Sequence, residues 1–271
     1  MKFLKLIILY IILFIFIFIA IFPFVWLVST SFKGAEEIFQ MPPRLIPEKF
    51  TIQNFKEVWM AIPFGRYYLN SFIVTLFVVV GNIFLGSFAG FVLAKFNFRY
   101  KKLLFLLVIM SLVIPQEMIL IPNYLILLNL RLTDSLLGII LPSLVSGFSI
   151  FMMRQAFLSI PQEFFDAAIV DGCSLFKIYW KISLPMIKPT IISLSLLVFI
   201  STWGDFLFPL IILRSQENYT LQVGLSYMTG TFVDNFKLIS AGSLLAMLPS
   251  VLLTIFLSRY FERGIFEGGI K

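Results

Sequence analysis

Apolar residues in this chain do not fall into stripes of helical period; they run unbroken for the length of a bilayer crossing. Leu6 to Val28 holds no charge, and a helix needs about 20 mostly apolar residues to cross the hydrocarbon core. Comparable runs occupy 69–94, 103–127, 136–153, 190–213 and 238–258. The pattern predicts an all-α polytopic membrane protein, six transmembrane helices in one domain over 1–271. Pro115, Gln116 and Glu117 interrupt the third run, so its helix is expected to end early and continue outside the hydrocarbon. The first run follows Lys2 and Lys5 as a secretory signal would, but it is too long for a signal core and no small-residue cleavage site follows. That predicts an uncleaved signal anchor.

The segments between the runs carry the topology. Alternate segments hold Lys2 and Lys5, then Lys95, Arg99, Lys101 and Lys102, then Arg154, Lys177, Lys181 and Lys188, then Arg259, Arg263 and Lys271. These thirteen cations stand against Glu163, Asp166, Asp171, Glu262 and Glu267, whereas the opposite segments balance at eight basic and eight acidic residues. Basic loops stay inside, which places both termini in the cytoplasm of a multi-pass inner-membrane protein.

Composition narrows the classes. With 60% hydrophobic and 13% charged residues, the chain cannot cover a soluble fold. The net charge of +7 is scattered between apolar runs and forms no basic face for nucleic acid. One cysteine and no histidine leave no disulfide framework, Cys/His zinc site or histidine-based acid/base chemistry. Cys173 reads as a small packing residue with a reduced thiol.

The most patterned polar segment is 159–185. Ser159 and Gln162 have capping-box spacing, Pro161 suits a first helical turn, and Glu163 and Asp166 complement the positive end of the helix dipole. A short helix is predicted from near Ile160, with Glu163, Asp166 and Val170 on one face and Phe165, Ala168 and Ile169 on another. Gly172 then allows a sharp turn. Phe176, Tyr179 and Trp180 alternate with Lys177 and Lys181 before Pro185 opens the fifth run. Periodicity alone leaves two readings open: a hairpin lying on the bilayer surface and a knob that docks a cytoplasmic partner.

The segment resembles the EAA loop of ABC importer permeases, whose pattern is E-A-A, three residues, G, nine residues, I-x-L-P. Here it reads Asp166-Ala167-Ala168, then Gly172, then Ile182-Ser183-Leu184-Pro185, with aspartate for the leading glutamate. Supporting segments are Pro63-Phe64-Gly65-Arg66 through Asn70-Ser71, Pro142 followed by Arg154-Gln155-Ala156-Phe157, Trp203-Gly204-Asp205-Phe206, and Arg259-Tyr260-Phe261 before the terminal Gly-Gly-Ile-Lys271. The chain is similar to the smaller permease of maltose-type transporters over nearly its whole length. The resemblance implies a sugar importer in which this chain pairs with a second permease as a heterodimer, with two cytoplasmic ATPases and an external solute-binding protein. It implies that Glu163, Asp166, Ala167, Ala168, Asp171, Gly172, Leu184 and Pro185 couple to an ATPase. There is no GxxxxGK[ST] phosphate loop, so the chain is expected to bind no cofactor; ATP and Mg belong to the ATPase partners.

Two further features are candidates. Asn82, Gly86, Gly90 and Ala94 repeat every four residues, which suits close helix packing within the bundle or a subunit contact. Asp205 is the acid inside a span, a placement costing about 2.5 to 3.5 kcal/mol at mid-bilayer, so it must face protein or water. Trp203, Gly204, Asp205 and Phe206 are candidate translocation-path residues, where the helix is expected to open and aromatic rings suit a sugar; hydrogen bonding of Asp205 to freed backbone amides is the alternative. The first external loop, with Pro42, Pro43 and Pro47, is expected to be an irregular segment: a solvated connector, with contact to the binding protein as the alternative. Rival functions are an ABC permease for another solute class and a stand-alone secondary transporter, which would carry repeat halves and paired intramembrane charges.

Overall fold

The computed structural model describes the backbone of residues 2–231 and 236–269 and the side chains of 3, 5–228 and 236–258. The helices are α1 Lys2–Ser31, α2 Ala35–Ile38, α3 Gln53–Ala61, α4 Phe64–Lys95, α5 Lys101–Val113, α6 Leu120–Asn129, α7 Leu136–Ser143, α8 Gly147–Ser159, α9 Gln162–Val170, α10 Leu175–Lys177, α11 Leu184–Met186, α12 Lys188–Trp203, α13 Leu207–Ile212, α14 Leu221–Thr231 and α15 Phe236–Gly269. Short 3₁₀ turns cover Gln116–Ile119 and Gln216–Asn218, and a π-helical stretch covers Ile178–Ser183.

The all-α expectation holds among the described residues. Lys5–Ser31, α4, Leu136–Ser159 and Phe236–Ser258 are each long and apolar enough to cross a membrane. Two bent pairs bring the candidates to six: α5 with 116–129, bent by 100°, and 175–186 with α12, bent by 77°. The third run breaks where Pro115 interrupts it, as expected. The fourth is not the single helix over 136–153 that its apolarity predicts, because α7 stops at Ser143 and α8 restarts at Gly147. The fifth breaks between Trp203 and Leu207. The Arg259–Tyr260–Phe261 segment, the side chains of Arg263, Glu262 and Glu267, and the terminal residues lie outside the described side chains.

The chain divides into two compact units, one of 1–68 with 221–248 and one of 69–220 with 249–271. In the first, α1 ends as Thr30 and Ser31 hydroxyls turn back to the Trp26 and Val28 carbonyls at 2.9 and 2.7 Å. The loop that follows is irregular, with 39–46 exposed as expected of a solvated connector, and its ends are braced. Lys33 is 2% exposed; its ammonium donates to the Arg44 carbonyl and lies 4.5 Å from the Trp26 ring centroid. Asn54 donates to the Ser31 and Lys33 carbonyls at 2.9 and 2.8 Å, and Phe32 stacks on Phe50. A buried cation needs such partners to offset its desolvation.

In the second unit the small-residue face of α4 receives α8. A β-carbon at Gly86 would lie 2.9 Å from the Ser149 Cβ, and one at Gly90 would lie 2.8 Å from the Met153 Cβ, so the glycines are there for close approach. Asn82 does more than pack. Its Oδ1 accepts from the Ser146 amide at 3.0 Å and from the Ser149 hydroxyl, while its Nδ2 donates to the Val78 and Ser143 carbonyls at 2.9 and 2.7 Å. One amide therefore satisfies both sides of the break between α7 and α8, which hydrocarbon would otherwise leave unpaired. Ser146 caps α8 by accepting from the Ser149 amide at 3.1 Å.

Candidate functional site

Residues 159–185 fold as helix, turn and helix. Helix α9 starts at Gln162, close to the expected Ile160, but Ser159 does not cap it: the Ser159 hydroxyl donates back to the Ala156 carbonyl at 2.8 Å, closing α8. The capping-box spacing was coincidental, because Ser159 is still helical and an N-cap must leave helical geometry. Pro161 supplies the boundary with extended dihedrals. Phe165 and Ala168 are buried as the two-face pattern predicts. Ile169, expected beside them, is exposed with Val170, which is 87% exposed.

The turn after α9 has both bonds of a Schellman cap. The Cys173 amide donates to the Ala168 carbonyl at 3.0 Å and the Gly172 amide to the Ile169 carbonyl at 2.9 Å. Gly172 has φ +73°, with nothing within 4 Å of where a β-carbon would lie, so conformation rather than crowding demands glycine. Cys173 is a free thiol, partly buried against the core.

The buried face of α9 joins a core with Phe91 and Ala94 of α4, Met153 and Phe157 of α8, and Ile178, Tyr179 and Ile187 beyond the turn. Tyr179 shares a 2.6 Å hydrogen bond with the buried Ser87 hydroxyl. Lys95 donates to the Ile160 carbonyl at 2.8 Å. On the outer side Glu163, Asp166, Asp171 and Phe176 are exposed, and Gln162 donates to Asp166 at 3.0 Å. Ala167 is exposed between them, whereas Leu184 is half-buried.

Pro185 does not open the fifth span. It sits exposed in α11, and α12 begins beyond Ile187 at Lys188. Proline cannot donate to residue 181 and its ring presses on that carbonyl; the preceding turn widens, with the Leu184 amide donating to the Tyr179 carbonyl. The I-x-L-P end of the pattern thus encodes a π-helical stretch, a feature associated with functional sites.

A second site lies within the same unit: a cavity of about 680 Å³. Both breaks in the third and fifth spans open onto it, through Ile114 and Gln116 on one side and Asp205 and Phe208 on the other, and so does the Asn82-braced break at 143–147. Irregular backbone at membrane depth is tolerated where it lines a cavity. Asp205, half-buried, has its carboxylate against the backbone amides of Phe206, Leu207 and Phe208, which supports the backbone-satisfying alternative. Of the four candidate path residues Asp205 alone is in the lining. Trp203 is 2% exposed and stacks on Phe199 at 5.5 Å, so it is a packing residue; Gly204 caps α12 and Phe206 lies outside the lining. Gln116, Asn123, Ser201, Thr202 and Thr220 line the cavity and had no signal as a site in the sequence, since polar residues scattered over separate segments leave no local motif.

Beyond α13 a rim is tied by Asp134, which adopts φ +56°. Its amide donates to the Ile212 carbonyl at 2.9 Å, and its carboxylate accepts from the Arg214 and Ser215 amides, both at 2.9 Å, and from the Ser215 hydroxyl. Partial burial raises the Asp134 pKa, but these bonds and that from Asn218 outweigh it and hold the carboxyl at about 2. The half-helix α13 is therefore fastened by an aspartate at each end.

Residues 82–267 match the family described as binding-protein-dependent transport system inner membrane component. The arabinooligosaccharides transport system permease protein AraQ of Halalkalibacterium halodurans is 35% identical over 255 residues, 92% of this chain and 91% of that protein. The sn-glycerol-3-phosphate transport system permease protein UgpE of Yersinia pestis is 30% identical over 252 residues, 90% of this chain and 89% of that protein. Among solved structures, a chain of a bacterial ABC transporter involved in the import of the acidic polysaccharide alginate superposes with a TM-score of 0.86 at 25% identity, covering 95% of this chain and 96% of that one.

Proposed function

This chain belongs to the binding-protein-dependent transport system inner membrane components, and from that premise we propose that it forms half of the translocation pathway of an ATP-driven importer for a sugar or oligosaccharide. It is a multi-pass permease subunit and not itself an ATPase. A second permease completes the pathway, two cytoplasmic ATPases hold ATP and Mg, and an external binding protein delivers the solute. The observation that carries the reading is the 166–185 segment: an acidic short helix with its inner face locked into the bundle and its outer face unpartnered, followed by a left-handed glycine and a π-helical turn.

The lever is broader than one helix. Phe165 and Ala168 share a core with α4 and α8, so displacement of α9 by a closing ATPase pair moves those helices together with the 178–187 segment. From Ile187 the motion passes into α12, whose Val198, Ser201 and Thr202 line the cavity. Inward and outward access are then two packings whose balance the ATPase biases through differential contacts. In proteoliposomes holding the complete importer, uptake of a neutral oligosaccharide should require internal ATP and the binding protein and persist when ion gradients are collapsed. Uptake driven by an ion gradient without ATP would establish the secondary-transporter reading.

The basic asymmetry supports a cytoplasmic position for both termini and the 159–185 loop. In a chain lacking Cys173, single cysteines at Arg99 or Lys177 should resist impermeant thiol reagents in intact cells and react in inside-out vesicles. Labelling of either from outside would reverse the topology.

A further inference from the structure

The cavity offers hydrogen-bonding groups that the fold itself does not use. Gln116 and Asn123 bring amides to the lining, and Ser201 and Thr202 bring hydroxyls. Asn82 lies beside them, but its four bonds to the chain leave it a brace. Amides and hydroxyls donate and accept in the alternation that sugar hydroxyls require. Val74, Ile139 and Leu197 supply apolar wall for the C–H face of a ring.

Charge decides the ligand class. Among the described lining residues there is no lysine or arginine, and Asp205 is the one ionisable carboxylate. A phosphate or uronate here would be desolvated beside a like charge, with no cation to offset either effect. Relatives of this chain serve both neutral arabinooligosaccharides and the anion sn-glycerol 3-phosphate, so the family alone does not choose between them. Resting on the permease reading above, we propose that this chain's own cavity is a subsite for one uncharged sugar unit and discriminates against phosphorylated and uronate ligands. Its volume of about 680 Å³ is within the usual range for small-ligand sites.

The test reads occupancy inside this chain rather than selection by the binding protein. In the complete importer with Cys173→Ser, Val145→Cys provides a thiol on the apolar lining, labelled by an uncharged maleimide. A mixture of neutral arabino-, malto- and xylo-trisaccharides should slow labelling by about fivefold or more, and Asn123→Leu should raise the concentration needed by a similar factor. Neither sn-glycerol 3-phosphate nor an oligouronate should protect, until Gln116→Lys adds a cation and admits the anions. Equal protection by neutral and anionic ligands, or no protection by the neutral mixture, overturns the inference. Uptake is measured in parallel: ATP-driven uptake of the neutral sugars without protection leaves the permease function standing and removes only the subsite. ATP-driven uptake of anions alone removes the sugar assignment as well.

Discussion

Gly172→Val is expected to leave the protein inserted in the membrane while lowering ATP-driven uptake by about tenfold or more, because a left-handed β-branched residue costs at least 1 to 2 kcal/mol. The strain falls on one turn. The φ of +73° and the paired bonds from the Gly172 and Cys173 amides fix the exit of α9, and a residue that refuses them redirects the chain before Ser174. Beyond its chain neighbours, no atom of the described residues lies within 4 Å of the would-be β-carbon, so an effect of bulk beyond the strain points to the partner. A graded series separates the two. Gly172→Asn, which tolerates the left-handed region, should retain most uptake, Gly172→Ala should be intermediate, and Gly172→Val should also weaken co-purification of the ATPase. Full ATPase binding and uptake with valine would remove the loop as the coupling element.

Asp205 should respond to chemistry more than to charge. Its carboxylate satisfies amides at the start of α13. Asp205→Asn keeps an acceptor oxygen and should retain assembly and appreciable transport. Asp205→Leu strands those amides at about 1 to 3 kcal/mol each and should impair both. Purification yield of the complex and uptake per complex are the measurements. Undiminished assembly and transport with leucine would refute the polar role. Loss of substrate-stimulated ATP hydrolysis in a well-assembled Asp205→Asn complex would instead make Asp205 a substrate contact.

What the sequence revealed follows from which interactions are local. Apolar runs mark spans because the bilayer demands them residue by residue, and Pro115 marks the third break because proline acts on its own turn. The 166–185 pattern gave the turn glycine correctly, since φ > 0 is a single-residue property. Ser159 misled because capping depends on whether the residue has already left the helix, which spacing does not report. The break at 144–146 lies between Pro142 and Gly147, but what stabilises it is not local: Asn82, some sixty positions earlier, supplies its hydrogen bonds. Trp203 looked available beside Asp205 but is enclosed by Phe199, one helical turn away. The cavity was unreadable for the same reason as the brace, since its polar groups converge only in three dimensions.

The central claim is that energy enters this permease through α9, and a cross-link tests it most directly. Glu163→Cys in a chain with Cys173→Ser places a thiol on the exposed face of α9, and a short bifunctional thiol reagent is applied to the assembled importer with and without ATP. The account predicts a cross-link to the ATPase subunit whose yield changes with nucleotide. Reaction of that position with a bilayer-partitioned reagent, without any cross-link to the ATPase in either state, would contradict it and make α9 a helix lying on the membrane surface.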